Sequence, residues 1–189
     1  LLLVATVPAL PARLVSMIPV ALVLNIVVGQ IIGSVGIPLY LDSTGTVLVA
    51  ALAGPWAGIA TGVLSSLVWS AFNPSVLPFA ATSAAVGGLA GVAIKHGALK
   101  NIATVLLSGA VIGIVVGMLA APVAAFVYGG TAGVGTGAVV SLLREMGHSL
   151  LQSVTLQSFI SDPLDKALVM LLVWLVLKSL PKRTLAAFR

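Results

Sequence analysis

The sequence predicts an all-α integral membrane protein, folded as one domain that is a bundle of six transmembrane helices. Hydrophobic residues make up 60% of the chain and charged residues only 7%, whereas soluble domains carry about a quarter charged residues. The mean hydropathy is +1.24. The apolar residues form long runs, unlike the short alternating segments of a β-barrel. A soluble domain of 189 residues could not cover its surface with so few charges.

Six apolar segments are the predicted spans, and they lie at 14–35, 44–53, 56–72, 79–94, 101–128 and 164–180. Residues 1–12 are a lead-in, with no basic region to mark a signal peptide. The 44–53 segment is short, because a span needs about 20 apolar residues. Asn73-Pro74 is a turn signal. Glycines spaced by four, at 54, 58 and 62 and at 109, 113 and 117, predict close helix packing.

The most polar stretch, 129–166, contains three of the four acids of the protein. Residues 129–161 are expected to form an outer polar loop and helix, with the helical segment at 138–160. Arg144, His148 and Gln152 recur every four residues, which predicts that they share one helix face. Asp162 and Pro163 are expected to start the last helix, with Asp162 as a partial cap.

Charge fixes the predicted orientation, because cytoplasmic loops carry an excess of Lys and Arg. With the N-terminus inside, seven of the nine basic residues fall on the inner side: Arg13, Lys95, Lys100, Lys178, Lys182, Arg183 and Arg189. All four acids fall toward the outer side: Asp42, Glu145, Asp162 and Asp165. The protein is therefore predicted to be multi-pass in the cell membrane, with both termini cytoplasmic.

Polar groups in a membrane protein mark pathways and binding sites, and a ligand pocket needs a few polar groups among apolar walls. The predicted substrate-binding residues are Tyr40, Asp42, Trp69, Asn73, Tyr128, Arg144, Glu145, His148, Gln152, Gln157 and Asp162. Structural roles are open for some of them. Asp42 or Ser43 could cap the next helix, Arg144 and Glu145 could pair with each other or with Asp162 and Lys166, and Asp165–Lys166 could be a local pair.

The sequence contains no catalytic constellation, no clustered metal ligands and no GxxxxGK[ST] phosphate-binding motif. The absence of cysteine excludes disulfides and thiolate metal sites. The protein is therefore predicted not to be an enzyme and to need no cofactor or metal. Its net charge of +5 is attributed to cytoplasmic loops rather than to nucleic-acid binding.

Three stretches carry a family resemblance: IPLYLDSTGTVLVAALAGPWAGIATGVLS, NPSVLPFAATSAAVGGLAGVA and SDPLDKALVMLLVWLVLKSLPKR. Together they cover 73 of the 189 residues, and they resemble the substrate-specific S component of energy-coupling factor (ECF) transporters. The resemblance implies a six-helix, S-component-like bundle that captures a vitamin at its outer face. It also implies docking to an ECF transmembrane subunit and two ATPase subunits, which use ATP to release the vitamin inward.

The resemblance leaves the substrate open between riboflavin, thiamin or its pyrimidine precursor, and a vitamin B6 form. The outer acids favour a neutral or cationic ligand over a carboxylate such as biotin. The AxxxA docking pattern of the family is missing, since Ser16 and Val20 stand at those places. Other function classes compatible with the sequence are a stand-alone secondary transporter or channel and a structural membrane subunit.

Overall fold

The computed structural model describes residues 12–131 and 133–181, with side chains from residue 16 onward. Seven α-helices make up this part of the chain, and a 3-10 helix, Pro74–Phe79, leads into the fourth. The helices are α1 (Ala12–Val35), α2 (Thr44–Ala53), α3 (Pro55–Ser70), α4 (Ala80–Lys95), α5 (Ile102–Phe126), α6 (Val134–Glu145) and α7 (Leu150–Ser179). Residues 1–11 of the predicted lead-in, the Arg13 side chain and the C-terminal Lys182, Arg183 and Arg189 lie outside what is described.

The all-α prediction is confirmed, but the predicted number of six helices is wrong for the described residues, which form seven. Three helical segments are long and apolar enough to cross a membrane, at Ser16–Val35, Pro74–Lys95 and Ile102–Phe126. Helices α2 and α3 are shorter than a full span, and Asp162, Asp165 and Lys166 interrupt the apolar sequence of α7. These helices are those of a membrane protein.

The predicted 138–160 helix is broken between α6 and α7, and its second part continues into the predicted 164–180 span as one helix. Gly147 ends α6 with a φ of +94°, a conformation that favours glycine. Ser149 then starts α7 through a capping box, in which its hydroxyl accepts from the Gln152 N–H and the Gln152 side chain accepts from the Ser149 N–H. The prediction that a helix begins at Asp162 is also wrong, since Asp162 and Pro163 lie inside α7.

Glycines bring two helix pairs into close backbone contact, as their spacing predicts. Gly58 and Gly62 of α3 lie against the backbone of Gly87 and Ser83 in α4. On α5, Gly109 lies against Ala167 and Gly113 against the Asp162 carbonyl, both in α7. A β-carbon at these glycines would overlap the neighbouring helix. The α5–α7 contact therefore fixes the position of the charged middle of α7.

The described part of the bundle buries both apolar and polar side chains and exposes many large apolar ones, unlike a soluble domain. One side of α1 exposes Val20, Val23, Val27 and Ile31, while Asn25 on the other side is completely buried. Exposed rows of valine and isoleucine suit a hydrocarbon solvent, in which polar side chains such as Asn25 are placed inside the bundle.

Asn25 holds the first three helices together. Its amide nitrogen donates to the Thr46 hydroxyl at 2.8 Å and to the Ser65 hydroxyl at 2.9 Å. Its amide oxygen accepts from the backbone N–H of Gly45 at 2.7 Å. Asn25 thus caps α2 from α1. Ser43 occupies the N-cap position of α2, as one of the two expected alternatives, but its side chain makes no capping hydrogen bond. The Asp42 carboxylate lies 3.8 Å from the Lys166 ammonium.

Candidate functional site

A cavity of about 300 Å³ opens where three connections of the bundle converge. These connections are residues 36–43 after α1, 71–79 after α3 and 127–133 after α5. We call this the cavity end. The first half of α7 completes the wall, through Gln157, Ser158, Asp162 and Lys166. The volume is at the lower limit of small-molecule sites, which span about 300–1,000 Å³.

The opposite end of the bundle carries the basic residues of the helix ends. Lys95 ends α4, Lys100 precedes α5, and Lys178 lies over the Trp174 ring at 3.8 Å from its centroid. The Trp174 indole N–H donates to the Leu99 carbonyl at 3.0 Å, which ties the end of α7 to the α4–α5 connection. These three lysines are therefore separated along the bundle from the acids Asp42, Asp162 and Asp165, as the sequence predicts, whereas Lys166 lies among the acids.

Asp165 in the middle of α7 holds the α1–α2 connection against the bundle. Its carboxylate accepts from the backbone N–H groups of Tyr40 at 2.8 Å and Leu41 at 2.7 Å. Leu41 adopts a φ of +49°, which is uncommon for a residue with a branched side chain. The carboxylate of Asp165 thus fixes the backbone that presents Tyr40 and Asp42 to the cavity.

Lys166 links the same connection to α7 from the cavity side. Its ammonium pairs with the Asp165 carboxylate at 2.5 Å and donates to the Ser43 hydroxyl at 3.1 Å. The Asp42 carboxylate is farther away, at 3.8 Å. The predicted local pair Asp165–Lys166 is confirmed, and it also anchors the loop. Lys166 is 5% exposed and Asp165 is fully buried, so each charge depends on the other.

The surroundings of the loop residues Tyr40 and Asp42 raise the pKa values of both side chains. Burial raises the pKa of the Tyr40 phenol, and the nearby Asp162 raises it further. Burial also raises the pKa of the Asp42 carboxyl, with Lys166 opposing and Asp165 adding to that rise. Tyr40 therefore stays a neutral phenol, and Asp42 binds a proton more readily than an exposed aspartate.

Aromatic rings form one wall of the cavity. Trp69 and Phe79 line it, and Tyr128 stacks behind Phe79, with ring centroids 5.7 Å apart and planes inclined by 16°. The Tyr128 hydroxyl donates to the Ser75 carbonyl at 2.7 Å, so it joins the α5–α6 and α3–α4 connections. Tyr128 therefore supports the aromatic wall from behind.

Two buried N–H donors of the wall have no hydrogen-bond partner within the described chain: Trp69 Nε1 and Gln157 Nε2. Both residues line the cavity, and Gln157 is only 3% exposed. Buried polar groups are almost always paired, so each exception needs an explanation. Each nitrogen exposes less than 1 Å² of surface, so an acceptor atom of a bound molecule reaches it only when the side chain turns toward the cavity.

The structure brings together six of the predicted binding residues and leaves five outside the cavity wall. The six are Tyr40, Asp42, Trp69, Asn73, Gln157 and Asp162, and the five are Tyr128, Arg144, Glu145, His148 and Gln152. Sequence reasoning missed several polar or aromatic lining residues: Gln30, Ser43, Phe79, Thr82, Ser83, Thr136, Ser158 and Lys166. Helical spacing from Asp162 could have indicated Ser158 and Lys166, four residues to either side.

The prediction that Arg144, His148 and Gln152 share one helix face is wrong. Arg144 ends α6, His148 lies in the turn, and Gln152 is used in the cap of α7. Arg144 and Glu145 are exposed, and neither forms an ion pair within the described residues. The described residues also contain no group of three or more His, Asp or Glu that could hold a metal ion.

Comparisons of the chain with protein-family models, curated proteins and solved structures found no match. The resemblance to S components therefore stays a prediction.

Proposed function

We propose that the protein is the membrane-embedded substrate-binding (S) subunit of an ECF-type ABC importer that captures a B-type vitamin or vitamin precursor. The observation that carries this proposal is the cavity with two unpaired, buried donors, Trp69 Nε1 and Gln157 Nε2. Other atoms of Trp69 and Gln157 line the cavity, and a solute acceptor that either donor turns to meet would complete a missing hydrogen bond. The protein itself catalyses no reaction in this proposal.

The proposed orientation places the cavity end outside the cell and both termini inside. Lys95, Lys100 and Lys178 then lie toward the cytoplasm, which agrees with the charge bias of membrane proteins. The sequence has no motif of its own for ATP hydrolysis. Inward release would therefore depend on an ECF transmembrane subunit and two ATPase subunits, as the resemblance implies.

A stand-alone secondary transporter is the second candidate, and the buried Asp165–Lys166 pair favours it. Ionisable groups inside a helical bundle are the usual elements of ion-coupled transport. In the S-subunit proposal the same pair is an anchor for residues 40–43.

The test is binding and uptake by the purified full chain in liposomes, with radiolabelled thiamin, riboflavin and pyridoxine as probes. An S subunit binds one of them without an ion gradient or ATP and does not accumulate it alone. Gradient-driven accumulation would replace the proposal with the secondary transporter. Absence of binding for every probe would favour a structural subunit and contradict both.

A further inference from the structure

The polar groups of the cavity wall differ in whether they already have partners. Trp69 Nε1 and Gln157 Nε2 are donors with no partner in the described chain. The Gln157 side chain is 3% exposed, so bulk water does not compensate for the missing bond. Each nitrogen exposes less than 1 Å², so the side chain must turn toward the cavity to pair. A ligand that presents an acceptor atom, such as a ring nitrogen or a carbonyl oxygen, would then complete the missing hydrogen bond.

The charged groups of the wall favour a ligand without a negative charge. Lys166 is the one cation among the described lining residues, and Asp165 already pairs with it at 2.5 Å. The carboxyl groups of Asp42 and Asp162 remain as acceptors on the wall. No described Lys, Arg or His lies within 4.0 Å of the Asp162 carboxylate. A ligand carboxylate or phosphate would meet these acids without a free counter-charge.

The apolar part of the wall favours a flat ring. Trp69 and Phe79 line the cavity, and Tyr128 holds Phe79 in a stack from behind. Aromatic side chains favour stacking with other rings, and their faces attract cations. The volume of about 300 Å³ is at the small end for ligand sites, which suits one or two rings better than three.

We infer that the cavity takes a planar nitrogen heterocycle of one or two rings, neutral or cationic, that carries an acceptor edge and a donor group. Gln157 and Trp69 donate to the acceptor edge, and Asp162 and Asp42 receive the donor or cationic group. This inference rests on the proposed function and adds the chemical class of the ligand. It names Gln157 as the residue that selects for an acceptor.

The class is tested by titrating the purified full chain in nanodiscs with four probes under calorimetry. Thiamin and pyridoxine belong to the inferred class, riboflavin has three fused rings, and biotin carries a carboxylate. We expect thiamin or pyridoxine to bind at least tenfold more tightly than riboflavin and biotin. Tighter or equal binding of biotin or riboflavin overturns the inference and leaves the proposed binding function standing. Binding of none overturns both.

The role of Gln157 is tested with a matched pair of variants in the same helix. Gln157→Glu replaces the unpaired donor by an acceptor of the same shape, and we expect at least a tenfold loss of affinity for the best-binding probe. Gln152→Glu makes the same chemical change outside the cavity and keeps the oxygen that accepts from Ser149. It should bind like the wild type. Equal affinities of Gln157→Glu and Gln152→Glu would overturn the assigned role, provided that both variants keep the wild-type melting temperature.

Discussion

Asp165→Asn tests how the α1–α2 connection is held, because Asp165 combines two kinds of contact. Its carboxylate accepts two backbone N–H groups of the loop and pairs with the Lys166 ammonium. Asparagine keeps one acceptor oxygen but turns an N–H group toward Lys166 or the loop. The variant therefore leaves a buried ammonium without its closest counter-charge.

The expected loss of stability follows from the burial of the Asp165–Lys166 pair, in which Asp165 is fully buried and Lys166 is 5% exposed. Removing one partner of a buried pair costs about 3–5 kcal/mol. We expect roughly 3 kcal/mol, the lower end, because Ser43 and Asp42 still lie near the ammonium. At about 2–4 °C per kcal/mol for a chain of this size, the melting temperature falls by roughly 6–12 °C.

The assay is thermal unfolding in detergent followed by tryptophan fluorescence. The double variant Asp165→Asn/Lys166→Met removes the stranded charge, and we expect it to recover at least half of the lost melting temperature. A single variant that melts with the wild type would refute the reasoning. So would a double variant that melts below the single one, since the charge would then not be the cause.

Three further outcomes are expected. Gly113→Ala in α5 drives a β-carbon into the Asp162 carbonyl and should cost about 1–3 kcal/mol, whereas Gly33→Ala, with nothing within 4 Å of the new atom, should be neutral in the same melting assay. Asn25→Ala should cost about 2–4 kcal/mol by leaving several buried partners of α2 and α3 unpaired, and a loss below 1 kcal/mol would contradict its role. Because the pKa of Asp42 is raised, its carboxylate becomes protonated at a higher pH than an ordinary aspartate. Thiamin affinity should therefore decrease as the pH is lowered through that range. In titrations at several pH values, Asp42→Asn should bind thiamin weakly and with less dependence on pH.

The sequence predicts the positions of most of the helices and the end of the bundle at which the cavity lies. Long apolar runs define α1 and α5, and the four-spaced glycines indicate where α5 meets α7. The separation of basic and acidic residues predicted that Asp42, Asn73 and the 129–166 stretch lie at one end of the bundle, and Asp42, Asn73 and Gln157 line one cavity.

The α6–α7 break was missed because the apolar periodicity continues through it. Gly147 and the Ser149–Gln152 capping box were the available signals, and they outweigh the periodicity. The capping of α2 by Asn25 could not be predicted, since it depends on a contact between residues distant in sequence. The hydrogen bond from Lys166 to Ser43 could not be predicted either, because it also joins residues that are distant in sequence.

The most direct test of the central claim is the amount of small molecule that co-purifies with the protein, measured by mass spectrometry for three forms of the chain. Ala120 lines the cavity, so Ala120→Phe should fill it, whereas Leu119→Phe changes a neighbouring side chain that is 51% exposed. We predict a single nitrogen heterocycle in near-equimolar amount in the wild type and in Leu119→Phe, and its loss from a folded Ala120→Phe. An equal amount in Ala120→Phe, or no small molecule in the wild type after growth with the vitamin probes, would contradict the account.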